Sequence, residues 1–202
     1  MQKINFNISN LKIILIFFLF YISILIGFYF NEDSLGGAEG DFNYHYKISL
    51  AFSKNFFETF NGFGTQDTVM GTRNSPVFWI VLSQASKFIS YDILRIINSL
   101  VSILICLYFF KCLKIRFNNT ENFILALIAC LVFLSPTVRS LSIWPYSLIW
   151  GLLFFVMSIF HFLKYLNAGS EIEKFIQSLF AVFFVALSAY FYPAFGIFFL
   201  FY

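Results

Sequence analysis

Glu39 and Asp41 stand two positions apart in GGAEGDFNYHY, the stretch from Gly36 to Tyr46, and His45 follows four residues after Asp41. A carboxylate within hydrogen-bond reach of a hydroxyl can take its proton as a general base. An imidazole, with an ordinary pKa of about 6.5, suits the same work or metal ligation. Gly36, Gly37 and Gly40 loosen the backbone around the two acids and allow close approach to a ligand. The other histidine, His161, belongs to the opposite side of the membrane in the topology below, so no histidine metal cluster is expected. His45 therefore reads as a hydrogen-bonding wall of a pocket. Two readings of the acids stand at this point: a solvated acidic loop, or groups at the mouth of a cavity. Glu32 and Asp33, hugging the membrane boundary, are read as loop.

The basic residues expected on the same face are Arg73, Lys87, Arg95 and Arg139, with Lys47 and Lys54 on a surface helix. Arginine at membrane depth is costly unless paired or facing water, which singles out Arg95 and Arg139. Their alternative role is snorkelling to lipid phosphate. Carboxylates and arginines beside apolar helices suit an amphiphile with a phosphate head and a lipid tail.

A bilayer must position these residues. The 202 residues are 60% hydrophobic and 11% charged, with a mean hydropathy of +0.82. Lipid is the main solvent for such a chain. Residues 13–30 form an uncharged run, long enough to span and lacking a small-x-small cleavage site, so a retained anchor is expected. Lys3 and Lys12 precede it and place the N-terminus in the cytoplasm by the positive-inside rule. Six of the ten acids (Glu32, Asp33, Glu39, Asp41, Glu58 and Asp67) lie between the first two apolar stretches.

A single transmembrane domain is expected over 1–202, with spans at 13–30, 92–110, 122–136, 147–163 and 175–202. An external loop, 31–91, carries surface helices. Within it Asn43, Lys47, Ala51, Lys54 and Glu58 recur with helical spacing, while Tyr44, Ile48, Phe52, Phe56 and Phe60 take other faces. That pattern predicts an amphipathic helix lying on the membrane, against a competing strand-like alternation from Phe42 to Phe52. PVFWIVLSQASKFIS, from Pro76, is too short for a span and predicts a second surface or partly inserted helix. TVRSLSIWPYS reads as a short external turn. The fold class is thus all-α and polytopic. The chain stops within the apolar run FFLFY, which suggests the N-terminal part of a longer protein. Bacterial inner membrane is the expected location.

Cys106, Cys112 and Cys130 lack metal-site spacing and read as apolar filler. Phosphate-binding loops, dinucleotide fingerprints and nucleophile elbows are absent, and the basic residues follow topology with no nucleic-acid patch.

The order of parts resembles the integral-membrane glycosyltransferases of the GT-C fold, such as the protein O-mannosyltransferases and the lipid A aminoarabinose transferase. Members follow a first span with an external loop holding a catalytic Asp, often as Asp-Glu-x-x-Tyr. DFNYHYKISLAF matches that Asp at Asp41, with Phe42 in place of Glu and His45 in place of Tyr. TRNSPVFWIVLS looks like the polar residue and proline turn before the second surface helix. RIINSLVSILICLYF, from Arg95, is close to an R-x-x-N-x-L opening of the second span, and SPTVRSLSIWPYS looks like a later external turn. The resemblance covers 13 to about 165. It implies transfer of a sugar, with inversion, from a polyprenyl-phosphate donor to an acceptor hydroxyl on a lipid, glycan or protein at the outer face. Asp41 would be the general base, and Glu39 would bind a sugar hydroxyl or share the proton. Arg73, Arg95 or Arg139 would meet the phosphate, and His45 and Tyr44 would line the substrate site. No cofactor is implied, because the broken Asp-Glu pair withdraws support for a divalent metal. The alternatives are a flippase or transporter of lipid-linked sugars and an inactive fragment. Transport is disfavoured, because the expected spans are clean and the polar features lie outside.

Overall fold

The computed structural model describes residues 8–34, 36–62 and 76–201, and these fold as helices without strands. In chain order they are α1 (Ile8–Tyr29), α2 (Ala38–Lys54), α3 (Phe56–Asn61), α4 (Val77–Ala85), α5 (Tyr91–Arg116), α6 (Asn122–Val132), α7 (Pro136–Ile143), α8 (Ser147–Leu166) and α9 (Glu171–Phe191), with a 3₁₀ segment, Pro193–Phe201. Four of them, α1, α5, α8 and α9, are long and apolar enough to cross a membrane; α6 and α7, bent by 76°, are so only when counted together, as a broken span or a re-entrant pair. α8 packs along α9 and against α5, while α1 and α5 both lean on α6. Exposed Leu15, Phe18, Leu104 and Phe183 face outward, as lipid-facing positions do.

Lysines gather at one end of the bundle. Lys12 lies over Phe123, while Lys111 and Lys164 both approach Phe160, joining the ends of α5 and α8. The helical ends near Tyr29, Tyr91, Ile143 and Ser147 meet at the opposite end, where α2 and α4 also pack. All three cysteines are buried and outside any disulfide. The Cys106 and Cys112 thiols reach the carbonyls of Ala129 and Val156 on neighbouring helices, at 3.8 Å each.

Three local readings change. The amphipathic helix breaks at Asn55, whose side-chain oxygen accepts from the Glu58 amide while its Nδ2 donates to Glu58 at 2.6 Å. This reciprocal cap starts α3 as a separate helix. Ile48 and Phe52 are buried, with α2 packed on α4, and so do not rest on lipid. The apolar run 122–136 is divided because Ser135 caps a new helix with Pro136 in its first turn, so the expected external turn is largely helical. Finally, Ser170 accepts from the Glu173 amide at 3.2 Å, which starts α9 at Glu171, and its helical bonding ends before Pro193.

Candidate functional site

The polar end of the bundle is built around a reversal at the end of α1. Asn31 adopts φ 50°, and the Glu32 amide bonds back to the Gly27 carbonyl at 2.8 Å. That turn swings the Glu32 carboxylate alongside α1, where Arg139 of α7 meets it. Arg139 Nε donates to both carboxylate oxygens, at 2.9 and 3.2 Å, and its Nη2 also reaches Glu32 and the Ser23 carbonyl. Charge-assisted forks of this kind are short and geometrically demanding. The Arg139 contact holds the Glu32 carboxyl down to about 2, well below the usual carboxylate range. Gly27 makes room for the pair: a Cβ there would lie 2.5 Å from Glu32 Oε2, 2.9 Å from Ile143 Cδ1 and 3.1 Å from Arg139 Nη2.

Arg95, one turn into α5, is buried beside this pair. Its guanidinium lies 3.8 Å from the Trp144 ring centre and 4.7 Å from that of Phe28. It donates to Asn31 Oδ1 at 2.8 Å and to the Ile143 carbonyl at 3.4 Å. Trp144 in turn donates to the Glu32 carbonyl at 3.1 Å. Three residues on, Asn98 donates to the carbonyls of Leu141 and Ser142 and accepts from Trp150. Arg95 and Asn98 share one face of α5, so together they satisfy the end of α7, whose last carbonyls lack helical partners.

Asp33 is a cap. Its carboxylate accepts from the amides of Gly37, Ala38 and Glu39 at 2.8, 3.0 and 3.4 Å, which opposes desolvation and lowers its pKa. Gly36 and Gly37, at φ 73° and 136°, supply the backbone turn this requires. The cap starts α2, which docks by its buried face. Phe42 contacts the rings of Tyr91 and Trp144 at 4.9 and 6.3 Å, and Tyr91 donates to Asn43 at 2.9 Å. His45 Nδ1 accepts from Trp79 Nε1 of α4 at 2.7 Å, and its ring lies 5.0 Å from that of Tyr146. Burial pulls the His45 pKa down to about 4, and its occupied Nδ1 makes it a neutral acceptor.

The residues singled out from sequence fall into separate groups. Asp41 and Glu39 are exposed in the first turn of α2. Among the described residues no hydrogen bond or ion pair engages the Asp41 carboxylate, whereas Glu39 lies within electrostatic reach of Arg95 and Tyr91. Tyr44 is half-buried with its ring against His45. Arg95 and Arg139 come together, joined through Asn31, Glu32 and Trp144. Arg73 lies outside the described residues. Among the described residues no three His, Cys, Asp or Glu side chains converge as metal ligands do.

Sequence reasoning missed Glu32 as the partner of Arg139, Asp33 as a cap and Trp79 as the partner of His45. A signal was present for Asn98, a second polar residue one turn after Arg95 in an apolar helix. No family model, curated protein or solved structure matches this chain. The fold and composition define an integral membrane protein, all-helical and polytopic, with four to five candidate spans.

Proposed function

We propose that the chain carries the acceptor-activating part of a membrane glycosyltransferase that moves a sugar from a polyprenyl-phosphate donor to an acceptor hydroxyl at the outer face. The observation that carries this reading is the pair of exposed carboxylates, Asp41 and Glu39, in the first turn of a helix held rigidly over the end of the bundle. A general base needs a fixed position and an open path to its substrate. Phe42 and His45 supply the first by burying α2 against its neighbours just beyond the first turn, and the exposure of Asp41 at the start of the helix supplies the second.

In the proposed step Asp41 takes the acceptor proton as that oxygen attacks the anomeric carbon. The bond to the donor phosphate breaks, and the polyprenyl phosphate leaves with inversion. Glu39 orients a sugar hydroxyl. Arg139 is committed to Glu32 and Arg95 is held beneath Trp144, so these two set the geometry of the end of the bundle. The phosphate contact passes to Arg73 in this reading. The test is transfer from a polyprenyl-phosphate sugar to a soluble acceptor in proteoliposomes, with Arg73→Ala compared with the parent. A fall in transfer with an unchanged melting temperature supports the assignment, and equal rates remove it.

A further inference from the structure

Between α4 and the bundle lies a partly open pocket of about 120 Å³. Its walls are Phe78, Leu82 and Ala85 of α4, Leu94 and Ile97 of α5, and Phe191 at the end of α9, with Asn98 at its side. The Asn98 amide is fully engaged, donating to Leu141 and Ser142 and accepting from Trp150. Among the described residues the lining thus offers no unpaired polar side chain to a sugar, a phosphate or a water molecule, each of which would enter at a desolvation cost.

Its rim is continuous with the lipid-facing surface. Val81 and Ile97 belong to the walls and are 50% and 38% exposed. Ile93 and Ile96, also exposed, carry the same surface along α5, a candidate span. Phe88, 86% exposed, sits three residues ahead of the start of that span. We infer that this pocket holds one acyl chain of a bilayer phospholipid, packed between α4 and the bundle. Apolar cavities of this kind stay dry, and the hydrocarbon they open onto is the surrounding lipid. The chain replaces the dispersion contacts that an empty pocket would forfeit, and it seats α4 against the spans.

The experiment uses the full chain in phosphatidylcholine vesicles containing a phospholipid with a photoactivatable diazirine on one acyl chain. Adducts are mapped by peptide mass spectrometry. Labelling at Val81, Ala85 and Ile97 is expected to exceed that at Leu15 and Phe18 on the lipid-facing side of α1. Ala85→Phe, which fills the pocket, is expected to abolish adducts at Ile97 while preserving those at Leu15 and Phe18. Ile97→Trp offers the same test from the α5 side, read at Ala85, should the first variant fail to fold. Equal labelling at the pocket and at α1, or labelling unchanged by both substitutions, would overturn the inference. So would a diazirine-bearing prenyl phosphate that labels the pocket where the phospholipid probe does not.

Discussion

Arg139 of α7 grips the Glu32 carboxylate through Nε and Nη2, although 107 residues separate them in the chain. The side chains are 17% and 25% exposed, so water screens the pair little. Removing one partner leaves the other charge unmatched, which costs about 3 kcal/mol, the low end for a buried pair. Arg139→Met is therefore expected to lower the thermal midpoint in detergent, and Glu32→Gln to do so less, since the amide still accepts a bond. The pair also sets an acid limit. The Glu32 carboxyl is depressed from 4.5 to about 2, so its stabilisation is complete above pH 4.5 and is lost as pH falls towards 2. Melting curves across that window should converge for the parent and Glu32→Gln.

Gly27 gives a test with opposed signs. Helix propensity alone makes Gly→Ala in a helix stabilising by about 1 kcal/mol. The Cβ position, 2.5 Å from Glu32 Oε2, makes it destabilising through displacement of the ion pair. Gly27→Ala is expected to melt below the parent, and to lose most of that deficit in a Glu32→Ala background, where the side-chain end that meets the new Cβ is gone.

The contrast between these two residues and the spans shows what the sequence carried. Spans are written in composition: an uninterrupted apolar run of sufficient length has one stable solution in lipid, so α1, α5, α8 and α9 were legible. Local punctuation was partly legible and partly passed over. Asn55 with Glu58 and Ser135 with Pro136 are start signals for α3 and α7, yet each sits inside a run whose periodicity reads as continuous. The partnership of Glu32 with Arg139 had no local signal, because it depends on the Asn31 reversal and on how α7 packs against α1. Glu32, Asp33, Glu39 and Asp41 were legible as a group of acids just beyond the first span. Which of them caps, which pairs and which stays open was decided by backbone geometry at Asn31, Gly36 and Gly37.

His45 and Trp79 predict a second pH dependence. With a folded pKa of about 4 against an ordinary 6.5, the unfolded chain binds the proton first as pH falls. Stability from neutral His45 is therefore full above pH 6.5 and declines down to about pH 4, by an amount on the order of 3 kcal/mol. Trp79→Phe leaves a buried imidazole acceptor unpaired and costs about 1–3 kcal/mol. Protease accessibility at Lys54, measured between pH 7 and pH 4, is expected to rise in the parent and to be high throughout in Trp79→Phe.

The central claim rests on Asp41, whose side chain is exposed and carries no structural bond among the described residues. Asp41→Asn is nearly isosteric and should leave expression, membrane insertion and melting temperature unchanged. The deciding measurement is sugar transfer from a polyprenyl-phosphate donor to an acceptor hydroxyl by Asp41→Asn and the parent, reconstituted side by side. The account predicts a loss of about a hundredfold to ten-thousandfold, the usual contribution of a positioned general base. Transfer by Asp41→Asn at the parent rate, in protein of equal stability, would contradict it.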